Sequence, residues 1–393
     1  MRKMFLSCLM VSIMAVPALA GLNYPDIDVK GDLSFKSITA DDYDSNSKTA
    51  DKVDLVQLTA DLSLSAELTD NVGLKALLRN ATTQGVGSNG NLDSMLSKTD
   101  VLQVTLNVND IAGKVDAVIG RQNIGAKKNA LVYQCENGDA ITLSTKCGPV
   151  DVTYVSVNGP ANRDTLNAIM LGGKIGPVDA GLARYTGQSG SASANAVLDI
   201  TVSGKIPVAG GIDASLEYAQ QSGNKITVEK DATAMLIKLG CSGCDMAVGK
   251  VSCGLTYLNA SGDEAGGDDE SYSGVAPSLK LTEIVGDKDA GQKNDDLAYN
   301  TSIANRNAIV LNIGLAPAAV DGLNLGLAYG TYKTNEKVNN ETDYATEINL
   351  TANYKASDAV SLSLLLAQMD PGKAMATTTD KAVKIQAGMK IGF

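Results

Sequence analysis

The chain has no histidine and no tryptophan among its 393 residues, and only three phenylalanines. Without histidine, serine-histidine and histidine-aspartate catalysis are excluded, and the commonest transition-metal ligand is missing. The remaining acids are scattered and form no paired acid-base constellation, so the sequence does not read as an enzyme, and it offers no cofactor or metal site. Beyond Ala20 there is no uninterrupted apolar run approaching the roughly 18 residues that a membrane-spanning helix needs. No linker, low-complexity block or shift in composition divides the chain. With 44 acidic against 33 basic residues and a formal charge of −11, it is also a poor match for nucleic acid.

What is present begins with an export signal. Arg2 and Lys3 supply a positive start, Met4 to Val16 an apolar stretch, and Ala18-Leu19-Ala20 a small-x-small cleavage site. The expected organisation is therefore a signal peptide over 1–20 and a single domain over 21–393. Cleavage makes the formal charge two units more negative.

Strict alternation follows. In the last eleven residues Val383, Ile385, Ala387, Met389, Ile391 and Phe393 are apolar, while Lys384, Gln386, Gly388, Lys390 and Gly392 between them are polar or glycine. Val56, Leu58, Ala60, Leu62, Leu64, Ala66 and Leu68 alternate in the same way with Gln57, Thr59, Asp61, Ser63, Ser65 and Glu67. Strands with one oily and one wet face, about 11 residues long, suit a tilted crossing of an outer membrane. In lipid every backbone donor and acceptor must be paired within the protein, so such strands must close into an antiparallel barrel. The stretches 140–157 and 164–175 fit either phase.

Short connections are expected near 69–71, 110–113, 148–149, 176–177, 207–210, 241–244, 317–322 and 355–358. Longer polar ones are expected near 39–53, 82–99, 124–138, 158–164, 187–193, 221–231, 259–306, 334–342 and 370–382. Their alternation predicts an all-β transmembrane barrel of about 18 strands, or 16 if one weak hairpin merges, with short periplasmic turns and long extracellular loops. No proline interrupts a proposed strand. Tyr185, Tyr218, Tyr257, Tyr329, Tyr332 and Tyr344 fall at the loop-side strand ends, where an aromatic girdle would meet the outer interface.

The final octapeptide, Gln386-Ala387-Gly388-Met389-Lys390-Ile391-Gly392-Phe393, resembles the C-terminal signal read by the barrel assembly machinery, with Gln386, Gly388, Ile391 and Phe393 at its marked positions. Ile391 departs from it, since an aromatic is common there. Val118-Ile119-Gly120-Arg121-Gln122 is similar to the strand that precedes the pore-narrowing third loop of many porins. With the export signal, the chain resembles a Gram-negative outer-membrane general porin. Its strand count is similar to that of the major outer-membrane porins of epsilon-class proteobacteria. The resemblance implies a water-filled channel for small hydrophilic solutes and ions, a homotrimer, a third loop folded inward, and an outer membrane of lipid and lipopolysaccharide as surroundings.

Function would then lie in the lumen. Asp61 and Glu67 share the wet face of one strand and Lys75 and Arg79 that of the next, an arrangement that sets up a transverse field at a constriction. Arg121, Lys127 and Lys128 are further candidates, although Arg121 needs a bulge to shift its parity into the lumen. Acids recurring on wet faces, including Glu217 and Glu347, favour cations. Export permits disulfides, for which Cys241 with Cys244 and Cys135 with Cys147 are the candidate pairs, leaving Cys253 lipid-facing. The acidic stretch 262–270 lacks EF-hand spacing and reads as a solvated loop. Two other readings stay open: a substrate-specific channel or polymer exporter, and a surface-structural protein or adhesin with a plugged barrel.

Overall fold

The computed structural model describes residues 26–41, 52–86, 92–124, 130–132, 135–158, 166–188, 193–207, 211–225, 228–263, 269–274, 279, 281–285, 303–338, 340–375 and 381–393. The signal peptide over 1–20 and the candidates Lys127 and Lys128 lie outside these residues.

The described elements are eighteen strands: β1 (Ile27–Asp41), β2 (Lys52–Thr69), β3 (Val72–Val86), β4 (Leu92–Ile111), β5 (Val115–Ile124), β6 (Cys135–Cys147), β7 (Val150–Asn158), β8 (Leu166–Ile175), β9 (Val178–Gln188), β10 (Ser193–Ile206), β11 (Ile212–Lys225), β12 (Val228–Met246), β13 (Gly249–Ala260), β14 (Arg306–Pro317), β15 (Leu323–Val338), β16 (Glu341–Lys355), β17 (Val360–Pro371) and β18 (Ala382–Gly392). Each pairs antiparallel with its sequence neighbours, and β1 pairs with β18, Phe35 opposite Met389 and Asp41 opposite Val383. The sheet is therefore a closed 18-strand barrel without a free edge.

The alternating residues decide which face is which. Val56 and Leu58 on β2, Leu198, Ile200 and Val202 on β10, Leu362, Leu364 and Leu366 on β17, and Ile385 and Met389 on β18 are large, apolar and exposed. They form the outward ring that a bilayer would cover. Two hairpins turn on the same string, Gly148-Pro149-Val150-Asp151 and Gly176-Pro177-Val178-Asp179. In both, the glycine takes φ 63°, which a two-residue turn with glycine first requires and which proline follows without strain. At the seam the chain end is held by a reciprocal pair: Gly31 N–H donates to Phe393 O and Phe393 N–H to Gly31 O, each at 2.9 Å. The Phe393 ring occupies the space a Cβ on Gly31 would need.

Several expected connections differ. Cys241–Cys244 is no turn: β12 continues to Met246, and the two cysteines span a bulge where the register with β13 shifts. The expected loops over 221–231 and 334–342 are hairpins whose strands run on to Lys225 and from Val228, and to Val338 and from Glu341. Beyond the bilayer both faces of a strand meet water, so a polar stretch there continues the ladder without alternation. Cys135 and Cys147 are the two ends of the single strand β6. At about 3.3 Å per residue they are roughly 40 Å apart, which rules out a disulfide between them within this chain. Arg121 is also not in the lumen. It shares the outer face of β5 with the exposed Ile119, lies opposite the exposed Val104, and faces Asp139 at 3.4 Å. The register shift that might have re-aimed it comes after Gln122.

Candidate functional site: a lumen narrowed by two inward segments

The inner face is not uniformly wet. On β7 to β10 the inward positions include Val155, Val157, Leu166, Ala168, Ala183, Tyr185 and Val197, all buried. Apolar side chains on a lumen wall require a cover, and two segments provide it. Residues 130–132, between β5 and β6, place Leu131 and Val132 in a fully buried cluster with these walls. Residues 269–274 and 281–285, between β13 and β14, add Tyr272, Ile284 and Val285 to the same cluster. The hydrophobic core of this protein thus lies inside its barrel.

Each cover is fixed to the wall by inward-facing polar side chains. Glu217 on β11 accepts hydrogen bonds from the N–H groups of Ala130 (3.0 Å) and Leu131 (2.7 Å). Two inward positions further along β11, Gln221 accepts from the N–H of Ser273 (3.0 Å) and of Gly274 (3.2 Å). Glu347 on β16 is the strongest anchor. It accepts from Thr282 Oγ1 (2.6 Å) and from the backbone N–H of Glu283 (2.7 Å), Ile284 (2.8 Å) and Val285 (2.8 Å). Consecutive N–H groups converging on one carboxylate form an anion nest, and charge-assisted bonds of this kind are about twice as strong as neutral ones. Tyr332 O–H meets Thr282 Oγ1 beside it, and Lys384 on β18 donates to Glu283 O (3.4 Å) and faces its carboxylate at 3.8 Å. Tyr272 O–H donates to Leu131 O at 3.0 Å and ties the two covers together. Burial, with the nearby charges of Asp199 and Glu217, pushes the Tyr272 phenol well above its usual range, so it stays a neutral donor.

The opposite wall is charged. Asp61 on β2 and Arg79 on β3 are adjacent and bidentate, Arg79 Nε and Nη2 each 2.7 Å from a carboxylate oxygen of Asp61. Asp100 on β4 lies opposite Arg79. Lys390 on β18 pairs with Asp32 on β1 at 3.2 Å. Lys75 and Glu67 share this inner face nearer the β2–β3 turn and, among the described residues, make no ion pair. Asp61, Arg79, Lys75 and Glu67 therefore lie together on one wall, while Arg121 lies outside the barrel.

Glu217 and Glu347, expected as free acids of a wet lumen, are 5% and 1% exposed, and backbone donors occupy them. The signal for this was the apolar string Leu281, Ile284 and Val285 within an otherwise polar connection, a string that needs something to pack against. The tyrosine girdle is partial: Tyr218 and Tyr329 are exposed outward, but Tyr185 and Tyr332 point in and are buried. Tyr344 instead stacks with the guanidinium of the buried Arg306, 3.9 Å from its ring centroid.

No family model matches the chain, and no curated protein matches it in sequence. Solved structures do match in fold. OccAB4 of Acinetobacter baumannii is 13% identical, with a TM-score of 0.63 over 93% of this chain and 98% of that one. OccK5 (OpdH) of Pseudomonas aeruginosa is 13% identical, TM-score 0.62, over 93% and 98%. OccK11 (OpdR) of Pseudomonas aeruginosa is 12% identical, TM-score 0.59, over 95% and 98%. These are outer-membrane porins of the Occ (OprD) type. The chain has the 18-strand barrel fold of Gram-negative outer-membrane porins along almost its whole length.

Proposed function

We propose that this protein is an outer-membrane porin that passes small hydrophilic solutes and ions by passive diffusion along the charged wall of β1 to β4. The observation that carries the reading is a barrel closed by β1 on β18, with an apolar outer ring and a lumen that the described residues cover on one side. The two inward segments make the passage eccentric and narrower than the roughly 18-strand barrel alone would give. That feature favours a selective channel over a wide unselective one. The chain is exported by its signal peptide, assembled through the machinery that reads Gln386, Gly388, Ile391 and Phe393, and seated among outer-membrane lipid and lipopolysaccharide as a homotrimer. Asp61 and Arg79 set the local field at the passage, with Lys75 and Glu67 nearer its periplasmic mouth. Catalysis has no part in this reading.

Reconstitution of the mature protein in a planar bilayer tests the proposal. Discrete conductance steps are expected. A folded, inserted protein that never conducts would refute the channel and leave the plugged barrel with a surface role, a reading favoured by the same two inward segments.

A further inference from the structure

Beneath the Glu347 anchor, on the side of the periplasmic turns, the inner wall is hollow. Two adjacent rungs cross four strands there. One runs Asn349, Ala328, Asn312, Gly254 and the next Thr351, Gly326, Gly314, Ser252. All eight positions alternate with outward residues such as Leu255, Ile313, Leu325 and Leu350. Three of the eight are glycines, and their missing side chains create the concavity. A Cβ on Gly314 would run into Ser252 Oγ, and one on Gly326 into Thr351 Oγ1. The inward segment borders the hollow with Leu281, Thr282 and Glu283, and the result is an open recess of about 500 Å³. Small-molecule pockets fall within about 300–1,000 Å³.

A row of small residues does not by itself make a site, but a buried acceptor in the lining is a second, independent observation. The buried side chains Glu217, Gln221 and Glu347 are saturated by the inward segments; those of the hollow are not. Ser252, Asn312, Asn349 and Thr351 have no side-chain hydrogen bond among the described residues. Asn349 is 3% exposed, lines the cavity, and its Oδ1 is buried without a partner. A buried acceptor left unpaired is costly, and the soft terminal torsion of an amide lets it turn toward a donor arriving in the cavity.

The geometry points to a solute-binding subsite for small uncharged acyclic polyols of five or six carbons, seated between Asn349 and Asn312 and against Thr351 and Ser252. This rests on the channel reading, to which it adds a place where solute dwells. The fit is chemical. Two amides and two hydroxyls offer donors and acceptors together, which a hydroxyl, itself both, complements at every contact. Asn349 and Asn312 are two strand spacings apart, about 10 Å, which a five- or six-carbon polyol spans with its hydrogen bonds. Among the described residues Glu283 is the one charged residue of the lining, and it already faces Lys384, so none of them offers a free charge to offset desolvation of an ion. Among the described residues no aromatic ring lines the hollow, so they give a pyranose no surface on which to stack its face.

Binding is measured directly, by saturation-transfer NMR with sorbitol on the folded mature protein in detergent, with conductance recorded separately. Wild type is expected to bind sorbitol and to prefer it over glucose and over a charged sugar acid. Thr351→Val, which keeps shape and removes a hydroxyl, and Asn349→Ala should each weaken binding by roughly fivefold to tenfold, while Gly314→Val should abolish it. Retained gel mobility of the unboiled variants reports that they fold; Thr351→Val carries the test if Gly314→Val does not. Absence of sorbitol binding by the folded wild type, equal binding by Thr351→Val, or equal binding of glucose would overturn the subsite. A protein that conducts but does not bind refutes the subsite alone; one that binds but does not conduct supports it and refutes the channel.

Discussion

Replacing Glu347 by glutamine should open the passage. The carboxylate receives four donors at 2.6–2.8 Å, two on each oxygen: Glu283 N–H and Ile284 N–H on one, Thr282 O–H and Val285 N–H on the other. An amide keeps one acceptor oxygen and places an NH₂ where the other stood. Whichever way it turns, at least one backbone N–H faces a donor, and the charge that strengthened the remaining bonds is gone. An orphaned buried donor costs about 1–3 kcal/mol, and charged acceptors contribute about 1.5–3 kcal/mol per bond against about 1 for neutral ones. A total near 3 kcal/mol shifts the balance between seated and released segment by roughly a hundredfold. Single-channel recording should then show larger and noisier steps for Glu347→Gln, and more so for Glu347→Ala, in protein whose unboiled gel mobility stays that of a folded barrel. Conductance and noise indistinguishable from wild type in both variants would refute the view that this carboxylate holds the lumen narrow.

Four further outcomes are expected. The mature protein should migrate faster unboiled than boiled on a detergent gel, because a closed barrel has no edge from which to unravel; equal migration would argue against closure. Deleting Phe393 should leave the chain periplasmic or degraded, since it removes both the terminal aromatic and the reciprocal bonds to Gly31; surface labelling at wild-type levels would contradict this. Peptide mapping after export should find Cys241 linked to Cys244, whose Sγ atoms are 2.7 Å apart across the bulge, and no peptide joining Cys135 to Cys147. Arg79→Gln should move the reversal potential under a salt gradient toward cations, more at low salt than at high, because it frees Asp61 on the exposed wall; an unchanged potential would show that this pair does not face the conducting path.

The barrel was legible wherever one strand face meets lipid and the other meets water. β2 and β18 carry that contrast residue by residue, and their outward sets stand as expected. The contrast fails on β7 and β8, where Tyr154 and Ile169 face outward while Val155, Val157, Leu166 and Ala168 face inward and are buried. Both faces of these strands are apolar, so the period of two fades and either phase fits. Tyr185 and Tyr332 misled for the same reason: a strand-end tyrosine has the same spacing whether its ring meets lipid or an inward segment. The polar strand ends leading to Lys225 and Val338 misled in the opposite sense, since water on both faces erases alternation without ending the strand.

The inner apolar wall also changes what a count of charges can mean. A bare apolar patch inside an aqueous lumen would be unfavourable in proportion to its area, and covering it requires the inward segments to bring both apolar side chains and backbone N–H groups into a buried place. Those N–H groups need acceptors, and strands facing the lumen can offer them only as side chains. Glu217, Gln221 and Glu347 stand where that need arises, on the covered wall. Two of the acids that raise the expectation of a cation-selective pore are thereby spent on seating the segments that narrow it. A third, Asp61, is neutralised by Arg79 on the open wall. The acidic surplus of the chain is thus a poor guide to the field along the passage. That field is set by the charges of β1 to β4 and β18 that face the remaining water, and among the described ones Lys30, Lys36, Lys75, Arg79 and Lys390 stand against Asp28, Asp32, Asp61, Glu67 and Asp100 in balance.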